Sequence, residues 1–479
     1  MRSISLMSLA LAALLAGCGG DDGNTNDEPP LPDTSGAPAG WADEVPLAIL
    51  EDIDPAADFV EVALEAKVAT VEYRPGVATE VWTYNGTVPG PMLRAKVGDT
   101  VVVHFTNHLP EATTIHWHGL RVPAEMDGAG HMTTAIEPGA SFDYRFVVPD
   151  AGLFWFHPHV RSDVQVEKGL YGTVLVEDPA QPDLGDTVTL VLDDVALRAD
   201  GSLAPPGSGG HMEEMIGRQG NTLLVNGRIA PTLLARAGRP QHWRLVNTAN
   251  ARYFHLEIPG HRIVRVGGDA GLVPAPVESD SLLLVPGERA EIVVTPVGEP
   301  GDRIVVRNLP YERGHGTGLE DPAELFAVEI ADLPAEQTPQ LPSILGTVEP
   351  IVVDGSEPVQ TVALSEVMNH TQMIFRINGQ AWPDVEPLTA TVGETQVWEV
   401  TNETNMDHPF HLHGFFFQVQ EVNGAAPALR EWKDSVNVPA EGTLRFAVRY
   451  DDRPGGWMFH CHILEHAELG MMGELQLVR

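Results

Sequence analysis

Apolar and polar residues alternate along this chain in short runs rich in β-branched side chains. Clear examples are Val97 to Phe105, Ser141 to Val148, Thr187 to Leu192, Glu291 to Thr295, Thr395 to Thr401 and Gly414 to Val422. A period of two marks a strand with one buried face. Gly, Pro and Asn separate the runs, and long helical periodicity is scarce. The pattern predicts an all-β protein of Greek-key sandwiches or barrels.

Two composition breaks divide the runs. One is Glu177-Asp178-Pro179-Ala180-Gln181-Pro182; the other is Asp332 to Pro342, with three prolines. They cut the body into about 59–180, 181–338 and 339–479, each a reasonable size for one β-sandwich. The first and third pieces repeat one another. "Y-N-G-T-V-P-G-P" at Tyr84, followed by "V-G-D-T-V-V-V-H-F-T-N", has a partner at Ile377 in "I-N-G-Q-A-W-P" and "V-G-E-T-Q-V-W-E-V-T-N". A weaker copy in the second piece is "V-N-G-R-I-A-P" at Val225 with "W-R-L-V-N" at Trp243. Threefold similarity at this spacing means three related domains.

The N-terminus reads as an address. Arg2 precedes an apolar run from Ile4 to Ala16, the length of a signal-peptide core and too short to span a bilayer. Leu15-Ala16-Gly17-Cys18 resembles the bacterial lipoprotein processing box. The resemblance implies that residues 1–17 are removed and that Cys18 is acylated. Residues 18–58 then begin as a linker of Gly, Asp, Asn, Pro and Ser with almost nothing to bury. The expected location is extracytoplasmic, on a membrane facing the periplasm or the cell exterior and held only by the lipid.

The net charge of −38 argues against nucleic acid or anionic lipid as a partner, because neither would be attracted. It names no substrate. With only Cys18 and Cys461, and separate jobs for each, no disulfide framework follows.

Histidine carries the chemistry. Ten of the 19 histidines fall into four clusters: His116-Trp117-His118; His157-Pro158-His159; His408-Pro409-Phe410-His411-Leu412-His413; and His460-Cys461-His462 with His466 and Met471 downstream. Residues i and i+2 of a strand face the same way. Four H-x-H pairs therefore offer eight imidazoles to one place, where domains one and three meet. Imidazole suits copper, zinc and iron, and eight ligands exceed the needs of one ion. They fit three coppers, two ligands on one and three on each of the others. If His460 and His462 face that cluster, Cys461 faces away. There His408, His466 and a weak axial Met471 complete a blue-copper set. The other nine histidines lack such spacing and read as surface or hydrogen-bonded residues.

These motifs resemble the three-domain multicopper oxidases: laccases, bacterial cuprous oxidases and spore-coat-type oxidases. The match runs from about Phe59 to the C-terminus. It implies three consecutive cupredoxin-like domains and four coppers per chain. Type 1 would take His408, Cys461, His466 and Met471, and type 2 would take His116 and His411. The type 3 pair would take His118, His157, His159, His413, His460 and His462. "N-T-A-N-A-R-Y-F" at Asn247 and "P-G-E-R-A-E-I-V-V" at Pro286 resemble the family's ligand-free middle domain. The cuprous-oxidase branch places proton-relay acids at positions matching Asp127 and Glu465. In Trp432-Lys433-Asp434-Ser435, Asp434 is expected near the type 1 rim.

The resemblance implies an oxidoreductase coupling four one-electron oxidations to reduction of O2 to water. Its reductant is small: a phenol or aromatic amine, as for laccases, or Cu(I), Fe(II) or Mn(II). An axial Met, compared with a non-coordinating Leu or Phe, is expected to lower the type 1 potential. The methionine-rich insertion of cuprous oxidases is reduced here to Met368 and Met373 with His370. A looser set is His211, Met212 and Met215, expected on a Gly-rich loop. Relatives that lost copper ligands serve as structural or division proteins, but every ligand position is filled here.

Overall fold

The computed structural model describes residues 37–54, 56–129, 133–318, 320–335 and 340–479; Cys18 and His131 lie outside them. Six sheets form three two-sheet sandwiches. The first pairs two four-stranded sheets, the second a six-stranded with a five-stranded sheet, and the third two five-stranded sheets. Each sandwich encloses its own apolar core. Tyr84, Phe105 and Trp117 sit in the first, Trp243 and Phe326 in the second, and Trp398, Phe446 and Trp457 in the third.

The sequence repeat has a physical counterpart. In each sandwich a long strand pairs antiparallel on one side and parallel on the other. Phe59–Arg74 lies antiparallel to Val77–Tyr84 and parallel to Thr100–Asn107. Asp186–Val195 does the same with Thr222–Val225 and Gln241–Asn247. Val359–Met368 repeats it with Met373–Ile377 and Thr395–Asn402. The shared Asn-Gly makes a turn just after the antiparallel partner strand in each copy, closed by the bridges Tyr84 to Thr87, Val225 to Arg228 and Ile377 to Gln380. Asn85, Asn226 and Asn378 have φ of 50°, 50° and 52°, and the glycine after each is also positive. Two successive left-handed residues make the tight turn whose twist suits a hairpin, and Asn and Gly adopt that conformation most readily.

Helix is confined to short connectors, among them His211–Ile216 and Leu464–Glu468. Among the described residues no helix is long and apolar enough to cross a membrane.

Candidate metal centre

Strand register builds the site. In the first domain, His116–His118 lies antiparallel to Gly152–His157 with His116 opposite His157. In the third, His408–Leu412 lies against Gly455–Cys461 with His411 opposite His460 and Phe410 opposite Cys461. Side chains alternate between faces, so His411 and His460 share one face while His408 and Cys461 share the other. One strand pair thus serves two pockets.

On the first face eight imidazoles meet: His116, His118, His157, His159, His411, His413, His460 and His462. His116 stacks on His413 at 3.7 Å and His118 on His411 at 3.8 Å between ring centres, so each stack joins domain one to domain three. Hydrogen bonds fix the outward nitrogens. The Nδ1–H groups of His116, His157, His411 and His460 donate to the carbonyls of Asp127, Pro158, Asp434 and Cys461, each at 2.9 Å. His413 Nδ1–H donates to Asp127 Oδ2 at 2.8 Å. The Nε2 of each of these five rings is left as an inward lone pair, whereas in His118 the unpartnered nitrogen is Nδ1. The Nε2 atoms of His116, His157 and His411 have no hydrogen-bond partner, nor does either nitrogen of His462. His413 and His460 bring their Nε2 atoms within 3.0 Å, and His159 and His460 within 3.3 Å.

On the second face Cys461 Sγ lies 3.4 Å from His408 Nδ1 and 3.7 Å from His466 Nδ1, and the two nitrogens are 3.2 Å apart. Met471 is fully buried beside them, its carbonyl accepting from Cys461 N and its own N–H donating to His466 O. Burial pushes the Cys461 thiol up to about 12 and His408 down to about 3.

Sequence and fold comparisons concur with this geometry. Residues 65–181, 193–318 and 353–478 match three domain families described as multicopper oxidase. A multicopper oxidase of Mycobacterium tuberculosis, MmcO, is 31% identical over 84% of this chain and 84% of its own length.

The chain belongs to the multicopper oxidase family.

Its fold is also similar to a multicopper oxidase of Campylobacter jejuni described as a metallo-oxidase. That structure has a TM-score of 0.81 and 28% identity, covering 92% of this chain and 99% of the other. The Escherichia coli cell division protein FtsP is 31% identical over 84% of this chain and 86% of its own length.

Copper is the cofactor of this multicopper oxidase, and the donor set suits it. Lone pairs facing one another at 3.0 Å repel unless a cation lies between them. A metal ligand must also be a neutral imidazole. Burial first, then the neighbouring rings, holds His118, His159, His411, His413 and His462 well below the ordinary histidine range. The second domain closes the pocket. A Cβ on Gly287 would come within 2.9 Å of both His118 and His462.

The two candidate acids differ in place. Asp127 touches the cluster, its carboxylate accepting from His413 and its carbonyl from His116. Its Oδ1 is buried without a hydrogen-bond partner. Glu465 bonds Asn250 Nδ2 through Oε1 at 2.8 Å. Its Oε2 is unpartnered, and burial raises its carboxyl to about 8. No hydrogen bond joins it to a cluster ring among the described residues.

Asp434 departs from expectation. Rather than at the rim of the Cys461 pocket, it lies beside the eight-imidazole cluster. Its carbonyl holds His411, Oδ1 lies 3.2 Å from His118 Nε2, and Arg289 pairs with both oxygens at 2.7 and 2.6 Å. The cause is register: Ser435–Val438 pairs with His408–Leu412 so that Ser435 faces His411 and Val438 faces His408. Asp434 therefore falls at the cluster end. Spacing alone also missed Arg289, which is fully buried.

His211, Met212 and Met215 are not on a loop. They form the helix His211–Ile216, bounded by Gly210 and Gly217 at positive φ. The helix lies across the Cys461 pocket, where His466 Nε2–H donates to the Met215 carbonyl at 3.1 Å. Glu214 accepts from Met373 N at 3.1 Å, pinning the helix to the hairpin that bears Met368. Of the remaining histidines, His104 bridges Glu61 and Asp143 and His242 bonds Glu291.

Proposed function

We propose that this oxidase uses four coppers to couple four one-electron oxidations of a small reductant to reduction of O2 to water. The observation that carries this is the convergence of eight imidazoles, seven of them buried and five with an unsatisfied ring nitrogen, joined by His460-Cys461-His462 to a two-histidine thiolate pocket. In this reading His408, Cys461, His466 and Met471 hold type 1 copper, and His116 and His411 hold type 2. His118, His157 and His462, with His159, His413 and His460, hold the type 3 pair. When bound, the metal supplies one-electron acceptance at Cys461 and electron transfer to O2 at the cluster. Cys461 links the two sites covalently, because the histidines on either side of it in sequence belong to the other pocket. Asp127 locks the tautomers of His116 and His413. Its open oxygen at the cluster edge makes it the better placed of the two acids to pass protons inward. The FtsP likeness raises a non-enzymatic reading, against which stands the complete ligand set.

The donor we favour is a reduced metal ion rather than a phenol. Support comes from the covered edge of the Cys461 pocket. His466 Nε2 is capped by Met215 O, His408 Nε2 bonds Thr404 Oγ1 at 2.9 Å, and both rings are fully buried. An aromatic donor finds no imidazole edge to meet. The capping helix instead offers Met212, half exposed, and the His211–Glu214 pair, thioether, imidazole and carboxylate being metal donors. The Campylobacter metallo-oxidase points the same way. Oxygen uptake by the copper-loaded protein tests this, with Cu(I) and 2,6-dimethoxyphenol compared by kcat/KM. Preference for Cu(I), lost in Met212→Leu/Met215→Leu, is expected. Efficient phenol turnover without added copper would overturn the donor assignment, and no uptake with either would overturn the oxidase reading.

A further inference from the structure

Arg313 belongs to the second domain, yet its side chain lies against the Cys461 pocket. It is 2% exposed. No carboxylate lies within ion-pair distance of its guanidinium among the described residues. Its acceptors are neutral: Met406 Sδ at 3.3 Å and the Ile216 carbonyl. The ring of Tyr253 lies 5.5 Å away. Its own carbonyl accepts from Asp407 N at 2.7 Å, tying it to the segment that ends in His408. Asp407 directs its oxygens to Tyr311 Oη, Asn437 Nδ2 and Ala440 N.

The charge reaches the pocket. The Ile216 carbonyl that Arg313 holds is next to Met215, whose carbonyl caps His466, and the Met406 sulfur it meets lies two residues before His408. Burial lowers Arg313 from its ordinary value, but a guanidinium remains protonated in proteins. A buried unpaired cation destabilises a fold, so its presence here calls for a use.

We propose that Arg313 is a positioning residue for charge, raising the reduction potential of the type 1 copper above what axial Met471 alone would give. This rests on reading the Cys461 pocket as the type 1 site. One electron from the donor converts Cu(II) to Cu(I), with no bond broken and no proton moved. The unit of two neutral imidazoles, one thiolate and copper goes from charge +1 to 0. A fixed cation nearby repels the oxidised unit and not the reduced one. Low dielectric makes that difference larger than it would be in water. The lowered potential expected from axial Met471 is thereby offset in part.

The test is a redox titration of the blue absorption band of copper-loaded protein. Arg313→Gln should raise the oxidised-to-reduced ratio at fixed solution potential about tenfold, equal to ~59 mV for a one-electron couple. Arg313→Lys, which keeps the charge but loses the planar fork, should retain most of the wild-type potential. Thr317→Asp sets an anion on the same turn, where Thr317 Oγ1 already accepts from Arg313 N. It should lower the potential with Arg313 in place. Equal falls in the Gln and Lys variants would show that lost packing, not charge, moves the potential, and the proposal would fail. An unchanged potential in Arg313→Gln overturns it as well. Should that variant not fold, an unchanged potential in Thr317→Asp decides the matter against it. No blue band in wild-type protein would overturn the type 1 reading, and this inference with it.

Discussion

Asp127 shows what one side chain does at a metal cluster. Its carboxylate and carbonyl together hold two rings from different domains, His413 and His116, with their Nε2 lone pairs turned inward. Loss of such an outer partner typically costs about 10–100-fold in metal affinity or activity. Asp127→Ala should lower copper occupancy, by metal analysis, within that range. Asp127→Asn keeps an acceptor for His413 and should lose less. Equal losses in the two variants would mean that the carboxylate's charge, not its hydrogen bond, matters. The histidines and Cys461 were legible from spacing, because an H-x-H pair on a strand has one geometric meaning. Arg289 and Arg313 were not. Each acts by meeting residues distant in sequence, and no local pattern records that.

Elements carry the next layer. The strand Asp186–Val195 holds Asp193, which is buried and accepts from Tyr171 Oη at 2.5 Å. Burial first, then the Asp194 carboxylate, pushes Asp193 up to about 7. An unfolded aspartate titrates near ~3.9. Between those values the folded chain keeps a proton that the unfolded chain has lost, so stability falls as pH rises through that window and levels off above it. Asp193→Asn has the same shape and no titration. Its melting temperature should decline less than the wild type's from about pH 4 to about pH 7; parallel declines would contradict the assignment. The helix His211–Ile216 makes a different point. Its six residues sit between glycines at positive φ, which sequence alone read as a loop. So short a helix is marginal by propensity. Contacts with the third domain hold it, the Met215 carbonyl on His466 and Glu214 on Met373 N.

At the scale of the whole molecule the cluster is a seam. Rings of domains one and three interleave, and Arg289 of domain two reaches both, bonding Leu153 O at 3.2 Å and Asp434. Copper bound to the folded chain alone stabilises it by mass action, ~2.7 kcal/mol per site at a hundredfold excess over Kd. Removing copper with a chelator should lower the melting temperature and speed proteolysis between domains two and three. Reloading should reverse both. Calorimetry showing equal melting with and without copper would mean that the seam holds on protein contacts only.

Strand periodicity, the Asn-Gly turns and four histidine motifs sufficed to determine an all-β, three-domain oxidase and the identities of its candidate ligands, because each is a local pattern whose geometry is set within a few residues. Which carboxylate reaches the cluster, what covers the Cys461 pocket and where an unpaired cation lies were decided by tertiary structure. Those depend on strand register and on contacts between domains, and a shift of one residue in register would have put different side chains there.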